Sequence, residues 1–319
     1  MKVPISSPLR GACPARHEAK PFLKWAGGKG QLINQIKEFL PPEFVKTRRI
    51  EKYFEPFVGG GAVFFWLSRH YQIRKAHLYD INPEIVTAYQ TIRDSVHRLI
   101  KNLTSLESEY LSLHKTAREN FYYSKREEYN ALLGKKGGNG FVRRTALMIF
   151  LNKTCFNGLF RVNSRGLFNV PSGRYENPTI CDVENLLAVH AALKCAEIEC
   201  RDFAHCLKKA DNQSLVYFDP PYRPISKTAS FTGYIKNGFA DEEQIRLKGV
   251  CDELTEIGAK VILSNSDPQN IDPDDNFFDD LFKHNYKIKR LAATRMINCN
   301  AERRGMIKEI LVRNYALKD

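Results

Sequence analysis

The stretch YFEPFVGGGAVFF, residues 53–65, decides the fold. An apolar run typical of a buried strand, residues 53–57, leads into three glycines, and the chain then opens a helix. A strand, a tight glycine turn and a helix in this order form the first unit of an α/β sheet. The turn supplies G-x-G, but Phe64 stands where the dinucleotide fingerprint has its third glycine. A pyrophosphate site therefore loses much of its support.

Three further apolar runs have the character of buried strands, at residues 76–80, 215–219 and 259–264. A helix that Asp241 can cap and Gly258 can end precedes the last of them. Strands that alternate with helices predict a doubly wound α/β sheet. Ligands bind at the carboxyl ends of the strands in such sheets. Those ends carry Gly59, Asp80 and Asp219, which we therefore expect to share one site.

The acid at the second strand end narrows the choice of ligand. Asp80 follows the glycine turn at about twenty residues, the spacing at which a carboxylate accepts hydrogen bonds from ribose hydroxyls. The G-x-G pattern alone is weak evidence for a binding site, because a tight turn can contain these glycines without binding a ligand. Together the two features predict an adenosine-like ligand without a pyrophosphate, and S-adenosylmethionine meets that description.

The other glycine group, WAGGKG at residues 25–30, does not form a triphosphate loop. The P-loop requires G-x-x-x-x-G-K-[ST] after a strand. Here Gly30 follows Lys29, and Leu23 stands at the first-glycine position. The sequence therefore argues against a nucleotide triphosphatase.

The motif Asp219-Pro220-Pro221-Tyr222 points to a reaction. The prolines lack N–H donors and hold the loop extended, which leaves the Pro220 carbonyl as an acceptor beside the Asp219 carboxylate. Two fixed acceptors can draw the hydrogens of an exocyclic amine toward tetrahedral geometry and aim its lone pair at an electrophilic methyl. Tyr222 offers a ring face on which a planar base can stack. A rigid strand terminator with a satisfied Asp is the alternative.

Composition favours a basic globular protein. The 319 residues are 43% hydrophobic, and the net charge of +13 favours a polyanionic partner, nucleic acid before membrane. A basic enzyme whose charge only aids solubility is the alternative. The eight cysteines form no C-x-x-C pair, so we expect packed, reduced thiols in a cytoplasmic protein. Residues 1–19 predict a flexible leader without a targeting signal, and no apolar run approaches membrane-spanning length.

The pattern changes in the middle of the chain. Asn82-Pro83 is a strong helix start, and apolar residues then recur at helical spacing as far as Leu103. The stretch NGLFRVNSRGLFNVPSG, residues 157–173, predicts a β-hairpin that turns at 164–166. We therefore assign 20–83 and 177–319 to the α/β domain, and 84–176 to a basic inserted domain of helices and a hairpin.

Together these motifs resemble the DNA adenine methyltransferase family, the D12 class that methylates adenine at its exocyclic nitrogen. The resemblance runs from Pro21 to Tyr315 and includes the motif order of the α group of amino-methyltransferases. It implies a Rossmann-like methyltransferase domain with an inserted DNA-recognition domain, S-adenosylmethionine as cofactor with S-adenosylhomocysteine as product, and double-stranded DNA as partner. It implies cofactor binding by Trp25, Lys29, Glu55, Phe57, Gly59, Gly61, Asp80, Asp202, Phe203 and Asp219, and catalysis by Asp219, Pro220, Pro221 and Tyr222.

The resemblance also implies DNA contacts. In family members that recognise GATC, a Lys in the first motif and an Arg in the hairpin read guanines, and Lys24 and Arg161 hold those positions. Phe156-Asn157 matches the pair that fills the gap left by the flipped adenine, with Phe where the best-known members have Tyr. The remaining recognition and phosphate positions are Leu159, Pro171, Tyr175, Lys153 and Asn163. Basic side chains expected to hold further phosphates are Lys287, Lys289, Arg290, Arg303 and Arg304.

These features predict an S-adenosylmethionine-dependent DNA adenine methyltransferase that flips its target base, reads GATC and needs no metal. Two alternatives remain: an amino-methyltransferase acting on RNA, cytosine N4 or a protein glutamine, and a catalytically silent DNA-binding relative. Asp219 favours adenine, since Ser would favour cytosine and Asn would favour glutamine. We expect no membrane contact and no obligate protein partner. The sequence leaves open whether a cognate restriction endonuclease acts on the same site.

Overall fold

The computed structural model describes residues 18–25, 32–134, 138–223, 239–294 and 306–317. One seven-stranded sheet organises them. Its strands are β1 (Arg49–Glu55), β2 (Gln72–Asp80), β3 (Ala196–Cys200), β4 (Ser214–Phe218), β5 (Lys260–Ser266), β6 (Lys287–Thr294) and β7 (Met306–Arg313). The helices are α1 (Ile33–Glu38), α2 (Pro42–Thr47), α3 (Ala62–His70), α4 (Pro83–Ser112), α5 (Lys115–Leu132), α6 (Gly138–Thr154), α7 (Val183–Ala192), α8 (Asp241–Glu256) and α9 (Phe277–Leu281).

The strand order β3-β2-β1-β4-β5-β7-β6 confirms the α/β prediction. The first five strands are parallel, whereas β7 runs antiparallel to both β5 and β6. The chain leaves β1 toward β2 on one side and returns to β4 on the other. Connections that depart in opposite directions leave a crevice at the carboxyl ends of β1 and β4, which is where such sheets bind ligands.

The four predicted strands are present as β1, β2, β4 and β5, with shifted ends. β1 ends at Glu55 and not at Phe57, because Pro56 has no N–H to donate to the ladder. β3, β6 and β7 were not predicted. The sequences of β3 and β6 are AEIEC and KIKRLAAT, and both alternate or cluster charges because these strands form the two edges of the sheet.

Helix α4 connects the sheet to the helices of the middle segment. It starts as predicted, with the Asn82 side chain accepting a hydrogen bond from the Glu84 N–H at 3.0 Å and Pro83 in the first turn. Helix α4 packs on β2 and β3, and it also packs against α6 and α7. One hydrophobic cluster runs from Tyr53 in the sheet to Phe150 in α6. The sheet and the helices of the middle segment therefore share one hydrophobic core. The proposed domain boundaries at 84 and 176 stay a prediction.

The predicted hairpin forms a paired loop with isolated bridges in place of two continuous strands. Val162 bridges Phe168, Cys155 bridges Ser172, and Gly166 turns the chain at φ +76°. Helix α5 holds the second arm of the hairpin, because Asn130 exchanges two hydrogen bonds with the Phe168 backbone at 2.9 and 3.1 Å.

Two other sequence predictions concern composition. No helix among the described residues has the length and apolarity to cross a membrane. Among the described residues, five cysteines carry free thiols, four of them buried, whereas Cys195 is disulfide-bonded. The prediction of reduced thiols is therefore wrong for Cys195.

Candidate active site

The carboxyl ends of β1, β2 and β4 place the predicted site residues around one crevice. The glycine turn follows β1 and has left-handed backbone conformation at Gly59 (φ +44°) and Gly61 (φ +68°). At Gly61 an added Cβ would lie 2.3 Å from the Tyr89 hydroxyl, which itself donates to the Gly59 carbonyl at 3.2 Å. Both the backbone conformation and the close approach therefore require glycine there.

Asp80, at the end of β2, is oriented by the turn after β1. Its Oδ2 accepts from the Gly59 N–H at 3.0 Å and its Oδ1 from the Asn82 N–H at 2.9 Å. Burial raises the pKa of Asp80 to about 6, against the lowering effect of these backbone hydrogen bonds. Because each carboxylate oxygen has two lone pairs, the same group can also accept from a ligand hydroxyl.

An aromatic group lies beside this turn. The Phe57 ring centroid is 5.4 Å from that of Phe203 and 5.6 Å from that of Phe239. The Arg246 guanidinium lies over Phe203 at 3.9 Å and donates to both oxygens of Asp202 at 2.9 and 2.7 Å. These hydrogen bonds hold the pKa of Asp202 below its usual value. The aromatic rings of Phe57 and Phe203 thus lie next to the Asp202 carboxylate, which Arg246 orients.

Near Asp219, the residue that follows β4, lie one buried acid and two buried phenols: Glu55, Tyr53 and Tyr217. Ser264 Oγ on β5 lies 3.1 Å from Asp219 Oδ1 and 2.9 Å from the Tyr217 hydroxyl. Glu55, at the end of β1, is 2% exposed and accepts from the Tyr53 hydroxyl at 2.6 Å. Burial raises the pKa of Glu55 to about 8, the hydrogen bond from Tyr53 opposes that rise, and the nearby Asp219 charge adds to it.

Side chains from β7 and α8 hold the rest of the loop after β4. The Tyr222 hydroxyl donates to Glu309 Oε2 on β7 at 2.8 Å. Gln244 of α8 lies 3.4 Å from the Pro221 carbonyl. Arg223 pairs with Asp241 at 2.6 and 3.1 Å and with Asp275 at 2.5 Å. The loop is therefore tied to three other elements of the fold.

Trp25 and Lys24 lie between the glycine turn and the hairpin. A Cβ placed on Gly59 would meet the Trp25 indole at 2.9 Å, and the same indole packs on Phe160 of the hairpin at 5.4 Å between ring centroids. Lys24 extends the other way, with Nζ 4.3 Å from the Tyr175 ring centroid. Lys24 and Trp25, which are adjacent in the chain, thus contact both the glycine turn and the region around the hairpin.

The predicted DNA-contacting residues lie in one region around the hairpin. Phe156 is 52% exposed, and Asn157 follows it at φ +55°. Arg161 is exposed and donates to Asn169 Oδ1 at 2.9 Å. Lys153 is half-buried, and burial, followed by the charge of Lys24, lowers its pKa. Also in this region are exposed Pro171, half-buried Leu159, and Asn163, whose Oδ1 accepts from the N–H groups of Arg165 and Leu167.

Two basic residues that were predicted to hold phosphate are paired with carboxylates. Arg290 is paired with Asp267 at 2.9 Å and with Asp279 at 2.5 Å, and Lys289 lies 3.5 Å from Glu38. Their cationic groups are thus engaged by carboxylates, which weakens the prediction that they hold phosphate. Other predictions lie outside the described residues: Lys29, most of the leader (1–17), and Arg303 and Arg304.

Sequence reasoning missed the residues that position the site. Ser264, Gln244, Glu309 and Arg246 touch the predicted residues from distant parts of the chain. None stands in a motif with chemistry of its own. No local pattern marks them, because Ser264 and Glu309 lie within β5 and β7, and Gln244 and Arg246 lie within α8.

Comparisons with known proteins identify one family. The family profile described as "D12 class N6 adenine-specific DNA methyltransferase" matches residues 25–297. The chain is 48% identical over 299 residues to the type II methyltransferase M.MjaIII of Methanocaldococcus jannaschii, covering 93% of this chain and 100% of that protein. It is 36% identical to the type II methyltransferase M1.LlaDCHI of Lactococcus lactis subsp. cremoris, covering 93% and 95% of the two chains. It is 37% identical to the DNA adenine methylase of Escherichia coli K12, covering 77% and 80%.

Proposed function

Because the chain belongs to the D12 class of N6 adenine-specific DNA methyltransferases, we propose that it methylates the flipped adenine of GATC in the crevice between β1 and β4. Membership makes it a site-specific DNA adenine methyltransferase and decides against the cytosine, glutamine and silent-relative alternatives. One observation carries the assignment of the reacting site. Asp219 directly follows β4, next to the glycine turn after β1, and Ser264 of β5 contacts its carboxylate.

The residues at the ends of β1, β2 and β3 fit S-adenosylmethionine, the methyl donor of this family. Asp80 would accept from the ribose hydroxyls, since the glycine turn already orients its carboxylate. The rings of Phe57 and Phe203 would flank the adenine, and Asp202 would accept from its amino group. Further contacts are assigned to Trp25, Glu55, Gly59 and Gly61, and to Lys29 for the methionine carboxylate. When bound, S-adenosylmethionine supplies a methyl group on a positively charged sulfur, and S-adenosylhomocysteine remains.

Asp219 and the Pro220 carbonyl would accept the two hydrogens of the adenine amino group. The amine is a poor nucleophile while its lone pair is delocalised into the ring, and two fixed acceptors favour the tetrahedral form that can attack. The contact between Ser264 and Asp219 supports this role, because it restrains the plane of the carboxylate. Tyr222 would stack on the flipped base, with its ring held through Glu309. The methylated amine is cationic and loses its proton readily, so Asp219 need not be a strong base.

The region around the hairpin would read the DNA. Lys24 and Arg161 would each donate to a guanine, which is the commonest specific base contact. Phe156 and Asn157 would fill the gap left by the adenine, and the exposure of the Phe156 ring supports that role. Leu159, Pro171 and Tyr175 would contact other bases, and Lys153 and Asn163 would contact phosphate. This assignment makes residues 84–176 the DNA-recognition insertion.

Two relatives named as type II methyltransferases support a place beside a restriction endonuclease that acts on the same sequence. We place the enzyme in the cytoplasm, where its double-stranded DNA substrate lies. No obligate protein partner is proposed.

The test is to express the chain in a host without adenine methylation and to map N6-methyladenine across the host genome. Modified adenines confined to GATC are the expected result, and Asp219→Ala should give none while remaining folded. Methylation at another sequence would overturn the GATC assignment alone. An active Asp219→Ala variant would overturn the proposed mechanism.

A further inference from the structure

Asn152, a residue that no motif singles out, connects two segments of the proposed DNA site. It lies in α6 and is 1% exposed. Its Oδ1 accepts from the Lys24 N–H at 2.8 Å, and its Nδ2 donates to the Lys24 carbonyl at 2.9 Å and to the Gly158 carbonyl at 2.9 Å. The backbone N–H requires an acceptor and both carbonyls require donors, so only this orientation of the amide satisfies all three groups.

These bonds place the Lys24 side chain in a narrow space. Gly158 has φ +64°, and an added Cβ there would lie 2.2 Å from Lys24 Cδ. On the other side, Lys24 Nζ lies 4.3 Å from the Tyr175 ring centroid. The ring of Tyr175 is positioned in turn by Gly173, where a Cβ would meet it at 2.7 Å. The Lys24 side chain is thus restrained along its whole length.

The same amide also restrains the loop proposed to fill the gap in the DNA. Phe156 and Asn157 immediately precede Gly158, whose carbonyl receives one of the two hydrogen bonds from Asn152 Nδ2. The segment that carries Lys24 and the loop that carries Phe156 are therefore held at a fixed distance by a single buried side chain.

We propose that Asn152 is a positioning residue for base discrimination: by joining Lys24 to the loop at 156–158, it aligns the Lys24 ammonium with the guanine that it reads. This inference rests on the proposed function, since it requires that Lys24 contacts a base. Asn152 itself is buried and contacts neither DNA nor cofactor. Its effect should therefore appear in site preference and not in cofactor binding.

Asn152→Asp tests the proposal with little change in shape. A carboxylate can still accept from the Lys24 N–H, but it cannot donate to either carbonyl. Thr145→Val is the matched control, because Thr145 is also buried in α6 and its hydroxyl bonds Thr91 at 3.1 Å, away from Lys24. Both variants lose buried hydrogen bonds in one helix, and only the first disturbs Lys24.

The measurement is kcat/KM for methylation of a GATC duplex and of duplexes with one substituted base pair, with KM for S-adenosylmethionine measured alongside. Asn152→Asp should lose about tenfold or more of the preference for one guanine, while KM for the cofactor stays unchanged. Lys24→Ala should lose preference at the same guanine, and the double variant should lose no more than Lys24→Ala alone. Thr145→Val should keep the wild-type preference.

A second variant covers the case in which Asn152→Asp does not fold. Gly158→Ala would displace the Lys24 side chain from the opposite side and should lose preference at the same base. The inference is overturned if the folded variant, Asn152→Asp or else Gly158→Ala, keeps the wild-type preference, or loses it equally at every position. If Lys24→Ala keeps full preference, the assignment of Lys24 in the proposed function fails instead.

Discussion

Ser264 Oγ lies 3.1 Å from Asp219 Oδ1, so β5 restrains the carboxylate that β4 presents to the crevice. Behind it, the Tyr217 hydroxyl lies 2.9 Å from the same oxygen of Ser264. The carboxylate proposed to react is therefore oriented in part by the sheet, through a side chain of the neighbouring strand. A group held by two adjacent strands keeps its orientation before substrate binds, which is what preorganisation requires.

Ser264→Ala should lower kcat by about 10- to 100-fold, because the carboxylate can then rotate away from the adenine amino group. Cofactor affinity should not change. Ser266→Ala is the matched control, since Ser266 is buried on the same strand and its hydroxyl has no hydrogen-bond partner among the described residues. Single-turnover methylation and cofactor titration check both variants. Equal rates in Ser264→Ala and wild type would contradict the role given to this hydrogen bond.

Tyr222→Phe and Glu309→Ala should impair the same step. The first keeps the stacking ring but removes its hydroxyl, and the second removes the acceptor that lies 2.8 Å away. Each should lower kcat by about 10- to 150-fold, the range for a hydrogen bond to a charged group. The double variant should be no slower than the slower single variant, as expected for partners in one contact. If the two effects multiply instead, Glu309 acts through another residue.

Some parts of the fold and of the site were predictable because they leave a local pattern in the sequence. The C-terminal halves of β1 and β2 and nearly all of β4 and β5 are buried, so their apolar runs stand out, whereas the edge strands β3 and β6 carry charges. Gly59, Asp80 and Asp219 were recognisable because each follows a strand directly. Ser264 and Glu309 lie 45 and 87 residues from their partners, so their roles depend on strand pairing that no local pattern encodes.

Gly61→Ala should destabilise the fold by about 2–4 kcal/mol, because alanine would have to adopt a left-handed backbone conformation and its Cβ would clash with a neighbouring side chain. The residue has φ +68°, and its added Cβ would lie 2.3 Å from the Tyr89 hydroxyl. Urea denaturation measures the free energy of unfolding. Gly249→Ala is the control, since nothing lies within 4 Å of its added Cβ and it stands inside α8. Adding Tyr89→Phe to Gly61→Ala should recover part of the loss, and no difference from wild type in Gly61→Ala would refute the strain argument.

Glu55 should make stability depend on pH. Its pKa in the folded chain is about 8, raised by burial from 4.5, so the folded state binds a proton that the unfolded state releases between these values. The stabilising contribution is therefore complete below about pH 4.5 and is lost as pH rises through about 8, which lowers the free energy of unfolding by roughly 2–5 kcal/mol. Glu55→Gln keeps an acceptor for the Tyr53 hydroxyl and cannot ionise.

Urea denaturation at a series of pH values without ligand separates this contribution from that of other groups. Asp80, whose pKa is raised to about 6, produces the same sign of dependence at lower pH and is present in both proteins. The difference between wild type and Glu55→Gln should therefore change between about pH 4.5 and pH 8, with the wild type losing stability faster. Parallel curves would show that Glu55 is already ionised in the folded chain and would contradict this prediction.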